Sequence, residues 1–132
     1  MAEVELVLVV EDNEMNVVVL EKFLEILGIR CRSARSGEEA LDALRRERFD
    51  AVLMDIEMPV MDGLETVRRI RAGEAGEANR AITVIAVTAH SQPADRQRFR
   101  DEGMTGYISK PVPLEELRRV LSGVGPGRRG EG

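Results

Sequence analysis

The sequence predicts a doubly wound α/β fold, one five-stranded parallel sheet with helices on both faces. Two observations carry this prediction. Five short apolar runs alternate with five segments of helical length, and such alternation builds parallel sheets through right-handed crossovers. The apolar runs are mostly continuous stretches of Val, Leu and Ile, as in strands buried on both faces. At 132 residues, with no internal repeat, the chain fits one domain with its own core.

Each element has its own reason. "ELVLVV" (5–10) is the first strand. "NEMNVVVLEKFLEILG" (13–28) is a helix by its length, its Asn-rich start and its Gly stop, since three consecutive valines are poor helix formers. "IRCRSA" (29–34) is a second, weaker strand of alternating polarity. "SGEEALDALRRE" (36–47) opens with Ser36 and has Glu39 three residues on, the capping-box arrangement. "FDAVLM" (49–54) is strand three, and "MDIEMPVMDG" (54–63) then breaks the chain with Pro59, Asp62 and Gly63 just after Asp55.

The following "LETVRRIRAG" is a helix with Leu64, Val67 and Ile70 inward and its arginines solvated. "GEAGEANRA" (73–81) reads as a loop with no core face, and "ITVIAV" (82–87) as strand four. "QPADRQRFRDEG" (92–103) is a polar helix, "TGYISK" (105–110) a short fifth strand, and "PLEELRRVLSG" (113–123) a last helix with Pro113 near its start. The domain is therefore assigned to 1–123, and "VGPGRRGEG" (124–132) to a disordered tail or linker.

Composition narrows the class. A net charge of −5 argues against direct binding to nucleic acid or an anionic membrane. No apolar run approaches the roughly 18 residues of a membrane span, and the acidic "MAEVEL" start is unlike a signal peptide. The single cysteine, Cys31, excludes an internal disulfide and reads as a small buried strand residue in a reducing compartment. A cytoplasmic domain is expected.

Parallel strands end at one edge, where open α/β sheets bind ligands. There the sequence places Glu11 and Asp12 after strand one, Asp55 after strand three, Thr88 after strand four and Lys110 after strand five. Three carboxylates together repel unless a cation holds them. All-oxygen ligands in an open site favour Mg²⁺, with Mn²⁺ as a substitute, and such an ion commonly works on phosphate. Lys110 supplies a positive charge and Thr88 a hydrogen-bond donor for a phosphoryl group. Asp55, presented by its turn, is the candidate covalent acceptor. Other classes lack their parts. An acidic "EDNE" loop suits no flavin phosphate, Glu57 stands where a haloacid-dehalogenase-type phosphatase has a second Asp, and neither a P-loop nor G-x-S-x-G is present.

The pieces "VVEDNEMN", "LMDIEMPVMDG", "VIAVTAH" and "GYISKP", in this order and spacing, resemble the receiver domains of two-component signalling over residues 5–122. Their wording is most similar to receivers of hybrid sensor histidine kinases. The resemblance implies a flavodoxin-like sheet of order 2-1-3-4-5. It implies that Asp55 takes a phosphoryl group from a phosphohistidine of a sensor histidine kinase or histidine phosphotransfer domain. Asp12, Asp55 and the Glu57 backbone carbonyl would bind Mg²⁺, with Glu11 acting through water. Lys110, joined to Pro111 by a cis bond, would pair with the phosphoryl group. Thr88 and Tyr107 would shift together and reshape the face of helix four, strand five and helix five toward a downstream protein. Glu57 and His90 would tune the lifetime of the phosphate. Such a domain catalyses only its own phosphorylation and dephosphorylation. The alternative is an interaction module of the same fold that acts without phosphorylation. His90 on its own reads as a surface histidine, and Met54, Met58 and Met61 as packing. Both a stand-alone receiver and a segment of a hybrid kinase remain open from sequence.

Overall fold

The chain was analysed as a computed structural model that describes residues 4–124. The 125–132 part of the expected tail lies outside the described residues. Ten elements alternate as expected: β1 (Leu6–Val10), α1 (Glu14–Ile26), β2 (Arg30–Ala34), α2 (Gly37–Arg46), β3 (Ala51–Asp55), α3 (Gly63–Arg71), β4 (Thr83–Thr88), α4 (Pro93–Asp101), β5 (Gly106–Ser109) and α5 (Leu114–Ser122). The strands form one parallel sheet of order β2-β1-β3-β4-β5. The reversal of strand order beside β1 and β3 opens a crevice at their carboxyl ends.

Successive strand residues face opposite sides, so the central strands divide their side chains between two cores. Leu8, Val10, Val52, Met54, Val84 and Ala86 pack with α2 and α3 and with Phe99 of α4. Val7, Val9, Leu53, Ile85 and Val87 pack with Leu20 and Leu24 of α1 and with Leu117 and Leu121 of α5. Met54, Met58 and Met61 are all buried in the first core. Among the described residues, no helix is long and apolar enough to cross a membrane.

Several details depart from the sequence reading. β3 starts at Ala51, because Asp50 turns its carboxylate onto the N–H groups of Glu5 and Leu6 at 2.8 and 3.0 Å. Ser36 caps α2 by accepting the Glu39 N–H at 3.1 Å. The reciprocal Glu39 carboxylate reaches one residue further back, to the Arg35 N–H at 2.8 Å.

The 73–81 loop does have a core face. Ala75 is fully buried, a 3₁₀ turn covers Glu77–Asn79, and the Asn79 amide donates to the Leu44 and Ala75 carbonyls. One small residue produces no periodicity, so nothing in the pattern announced it. Arg71 does not share the solvated face of α3, as its guanidinium folds in over backbone carbonyls. Cys31 is half-buried rather than buried, and desolvation raises its thiol pKa. Val124, assigned to the tail, is buried in the core of α1 and α5.

At the amino ends of the strands, Val4, Leu27, Ile29, Arg118, Leu121 and Ser122 line an open cleft of about 590 Å³.

Candidate functional site

Asp55 closes the central strand β3 and is 2% exposed. The turn after it is tied on several sides. The Ile56 N–H donates to the Val87 carbonyl at 3.2 Å, and the Gly63 N–H to the Ile56 carbonyl at 3.1 Å. Asp62 caps α3 by accepting the Glu65 N–H at 2.9 Å. A Cβ at Gly63 would collide with the Asp55 carbonyl and crowd the Ile56 Cα, so only glycine allows α3 to start so close to Asp55. Val60, in the same turn, is fully exposed at φ 68°, a left-handed conformation that a β-branched residue rarely adopts.

Charge is the dominant feature of the site. The Lys110 Nζ donates to Asp55 Oδ1 at 3.0 Å and lies 3.7 Å from Glu11 Oε1. Glu11 is 1% exposed, and its Oε2 accepts the Asn13 N–H at 3.2 Å while its Oε1 has no hydrogen-bond partner. Asp12 stands exposed at the rim, and carboxylate oxygens of Glu11, Asp12 and Asp55 lie within 4.8 Å of one another. Burial first, then the Glu11 charge, pushes the Asp55 carboxyl from 3.8 up to about 7, against the lowering effect of the Lys110 hydrogen bond. For Lys110, burial favours the neutral amine. The hydrogen bond to Asp55 and the charges of Asp55, Glu11 and Glu57 outweigh it and raise the ammonium pKa. One ammonium among three carboxylates, with a buried Glu11 oxygen that accepts no hydrogen bond, fits a hard divalent cation.

Thr88 ends β4 and is fully buried. Its Oγ1 donates to Glu57 Oε2 at 2.9 Å and accepts the His90 N–H at 2.9 Å. The His90 ring is exposed, with Nε2 3.5 Å from the same Glu57 oxygen. The Lys110 N–H donates to the Thr88 carbonyl at 2.8 Å, and the Lys110–Pro111 peptide bond is cis. Tyr107 on β5 is half-buried, and the Arg96 guanidinium of α4 sits 4.9 Å from its ring centroid.

Strand ends therefore bring Glu11, Asp12, Asp55 and Lys110 together. Thr88 is nearby, but its hydroxyl is engaged with Glu57. Tyr107 lies along β5 rather than in the acidic cluster. The sequence reading missed two pairings, Glu57 with Thr88 and Arg96 with Tyr107. The only available signal for the first was the position of Glu57 two residues beyond Asp55.

The family description "Response regulator receiver domain" matches residues 7–122. The polar-differentiation response regulator DivK of Brucella ovis is 42% identical over 115 residues, covering 87% of this chain and 91% of that protein. Hybrid signal transduction histidine kinase K of Dictyostelium discoideum is 40% identical over 119 residues, 87% of this chain but 10% of that protein. The chain thus spans about a tenth of the length of the hybrid kinase relatives it matches. Among solved structures, the receiver domain of a sensor histidine kinase from Pseudomonas aeruginosa PAO1 superposes with a TM-score of 0.82 at 38% identity, covering 91% of this chain and 96% of that one. That crystal structure has a magnesium ion coordinated in its active-site cleft. The receiver domain of Ssk1, co-crystallised with the histidine phosphotransfer protein Ypd1 of Saccharomyces cerevisiae, gives a TM-score of 0.84 at 28% identity, covering 95% of this chain and 91% of that one.

Proposed function

This chain belongs to the response regulator receiver domain family, and from that premise we propose that Asp55 accepts a phosphoryl group from the phosphohistidine of a sensor histidine kinase or histidine phosphotransfer domain. The observation that carries the reading is the Asp55 carboxylate itself: buried, at a strand end, and hydrogen-bonded by Lys110 within a cluster of three acids. In the transfer, an Asp55 carboxylate oxygen forms the new P–O bond as the P–N bond of the donor breaks. The donor imidazole keeps the electron pair and takes a proton from solvent.

Lys110 holds Asp55 in place and sets a positive charge beside the incoming oxygens. Asp12, Asp55 and the Glu57 backbone carbonyl would hold a divalent cation, with Glu11 acting through water. Such an ion, magnesium or manganese, when bound offsets the phosphoryl charge. The Glu11 Oε1, which accepts no hydrogen bond and has only the more distant Lys110 ammonium, supports a need for that ion. Thr88 then turns its hydroxyl to a phosphoryl oxygen, Tyr107 follows, and the face of α4, β5 and α5 changes its fit to a downstream protein. His90, exposed beside Glu57, would with Glu57 tune the lifetime of the phosphoryl group by its effect on approaching water. The domain acts in the cytoplasm and works on no substrate but itself.

Intact-mass analysis after incubation with Mg²⁺ and acetyl phosphate tests this. One base-labile phosphoryl adduct is expected in the wild type, and none in Asp55→Ala or without the metal. No wild-type adduct under conditions that modify a control receiver overturns the reading in favour of a docking module that acts unphosphorylated.

A further inference from the structure

A hydroxyl has a single proton to donate, and in Thr88 it is already spent. Oγ1 donates to Glu57 Oε2 at 2.9 Å while accepting the His90 N–H at 2.9 Å. Thr88 is fully buried, and its β-branched side chain has few rotamers, so the Glu57 carboxylate and the His90 amide together hold it in one. In that rotamer it has no proton left for a phosphoryl oxygen. Glu57 is differently placed. Its side chain is 39% exposed at the rim, so its carboxylate can swing into water once the bond is broken.

We propose that the Glu57 side chain is a latch on Thr88: a positioning residue that holds the hydroxyl in the resting rotamer and must release it before the phosphoryl group is bound. This deepens the proposed function, because it rests on Thr88 being the phosphoryl-binding hydroxyl. It gives the Glu57 side chain a task separate from the backbone carbonyl of the same residue. The latch also carries the means of its own release. An arriving phosphoryl group offers Thr88 a competing charged acceptor, and the exposed Glu57 carboxylate can exchange its bond to Thr88 for water. The resting state is thereby stabilised until the moment of modification. The strength of one hydrogen bond sets how far the resting and modified forms are biased before any phosphate arrives.

Beryllofluoride, a mimic of the acyl phosphate, titrated at saturating Mg²⁺ provides the test. Tyr107 is the only tyrosine and the chain has no tryptophan, so intrinsic fluorescence reports directly on that ring. Glu57→Ala should bind the mimic about fivefold more tightly than wild type, the scale of one net hydrogen bond. Glu57→Gln, which keeps an acceptor oxygen but no charge, should stay nearer to wild type.

In a Thr88→Val background the gain from Glu57→Ala should vanish, leaving the two variants within about twofold of each other. An unchanged gain in that background, or equal gains for Gln and Ala, would show charge repulsion without a latch and overturn the proposal. So would the absence of any gain in Glu57→Ala. Failure of the underlying functional reading looks different: wild type then gives no saturable response, or adding Thr88→Val to Glu57→Ala leaves binding of the mimic unchanged. Circular-dichroism melts on each variant separate these outcomes from misfolding.

Discussion

Ionising a carboxylate that is 2% exposed costs free energy, and at Asp55 the Lys110 hydrogen bond offsets only part of it. The carboxyl is pushed from 3.8 to about 7, so the folded protein binds this proton more tightly than the unfolded chain does. Such a group stabilises the fold most at low pH, and the contribution is lost as pH rises from about 4 to about 7. In metal-free buffer, urea denaturation of the wild type should therefore show about 1–2 kcal/mol less stability at ~pH 8 than at ~pH 5, after allowance for screening. Asp55→Asn removes the ionisation, so it should lack that loss and be the more stable protein at the higher pH. Parallel curves for the two proteins would mean that Asp55 ionises freely. The location of this residue was legible in the sequence, since a strand end and three turn formers announce an acid at the sheet edge. The engagement of Glu57 with Thr88 was not. It depends on two side-chain rotamers across a turn, which no spacing rule encodes.

Helix α4 shows the same divide one level up. Of its nine residues only Phe99 is buried, so little apolar area holds it to the sheet. The turn that follows it is held by a neighbour. The Arg71 guanidinium at the end of α3 donates to the Arg80 and Ile82 carbonyls at 2.8 and 2.7 Å, and to the Gly103 carbonyl at 2.7 and 3.0 Å. It thus ties the entry of β4 to the turn between α4 and β5. Burial lowers its pKa, and the acceptors it meets here are neutral backbone carbonyls rather than carboxylates. Arg71→Met keeps much of the stem and leaves those carbonyls unsatisfied. It should shift the urea midpoint by the equivalent of about 2–3 kcal/mol, and Arg71→Lys should recover little of it, because one ammonium does not span three carbonyls. A shift below about 0.5 kcal/mol would make Arg71 an ordinary surface residue. Hydrophobic periodicity identified α3 and its inward face, but it says nothing about how far a long side chain folds over the helix end. For the same reason periodicity alone makes Arg71 solvated and Ala75 part of a loop.

Across the whole molecule, the parallel sheet gathers Glu11, Asp12 and Asp55 at one pole, where a bound cation would relieve their repulsion. A ligand bound only by the folded form stabilises by mass action, about 2.7 kcal/mol at a hundredfold excess over its Kd. Mg²⁺ should therefore raise the Tm of the wild type in a concentration-dependent way. Asp12→Asn, which removes an exposed carboxylate of the proposed cation site without disturbing the core, should lose most of that shift. An equal shift in the variant would mean that the ion acts elsewhere. The opposite pole has a different use. Val4 and Ser122 line the same cleft at the amino ends of the strands, so the described chain enters and leaves the fold side by side, far from Asp55. That geometry makes the domain a cassette. Segments of a longer polypeptide could join it with both junctions on that side, leaving the pole that carries Asp55 uncovered.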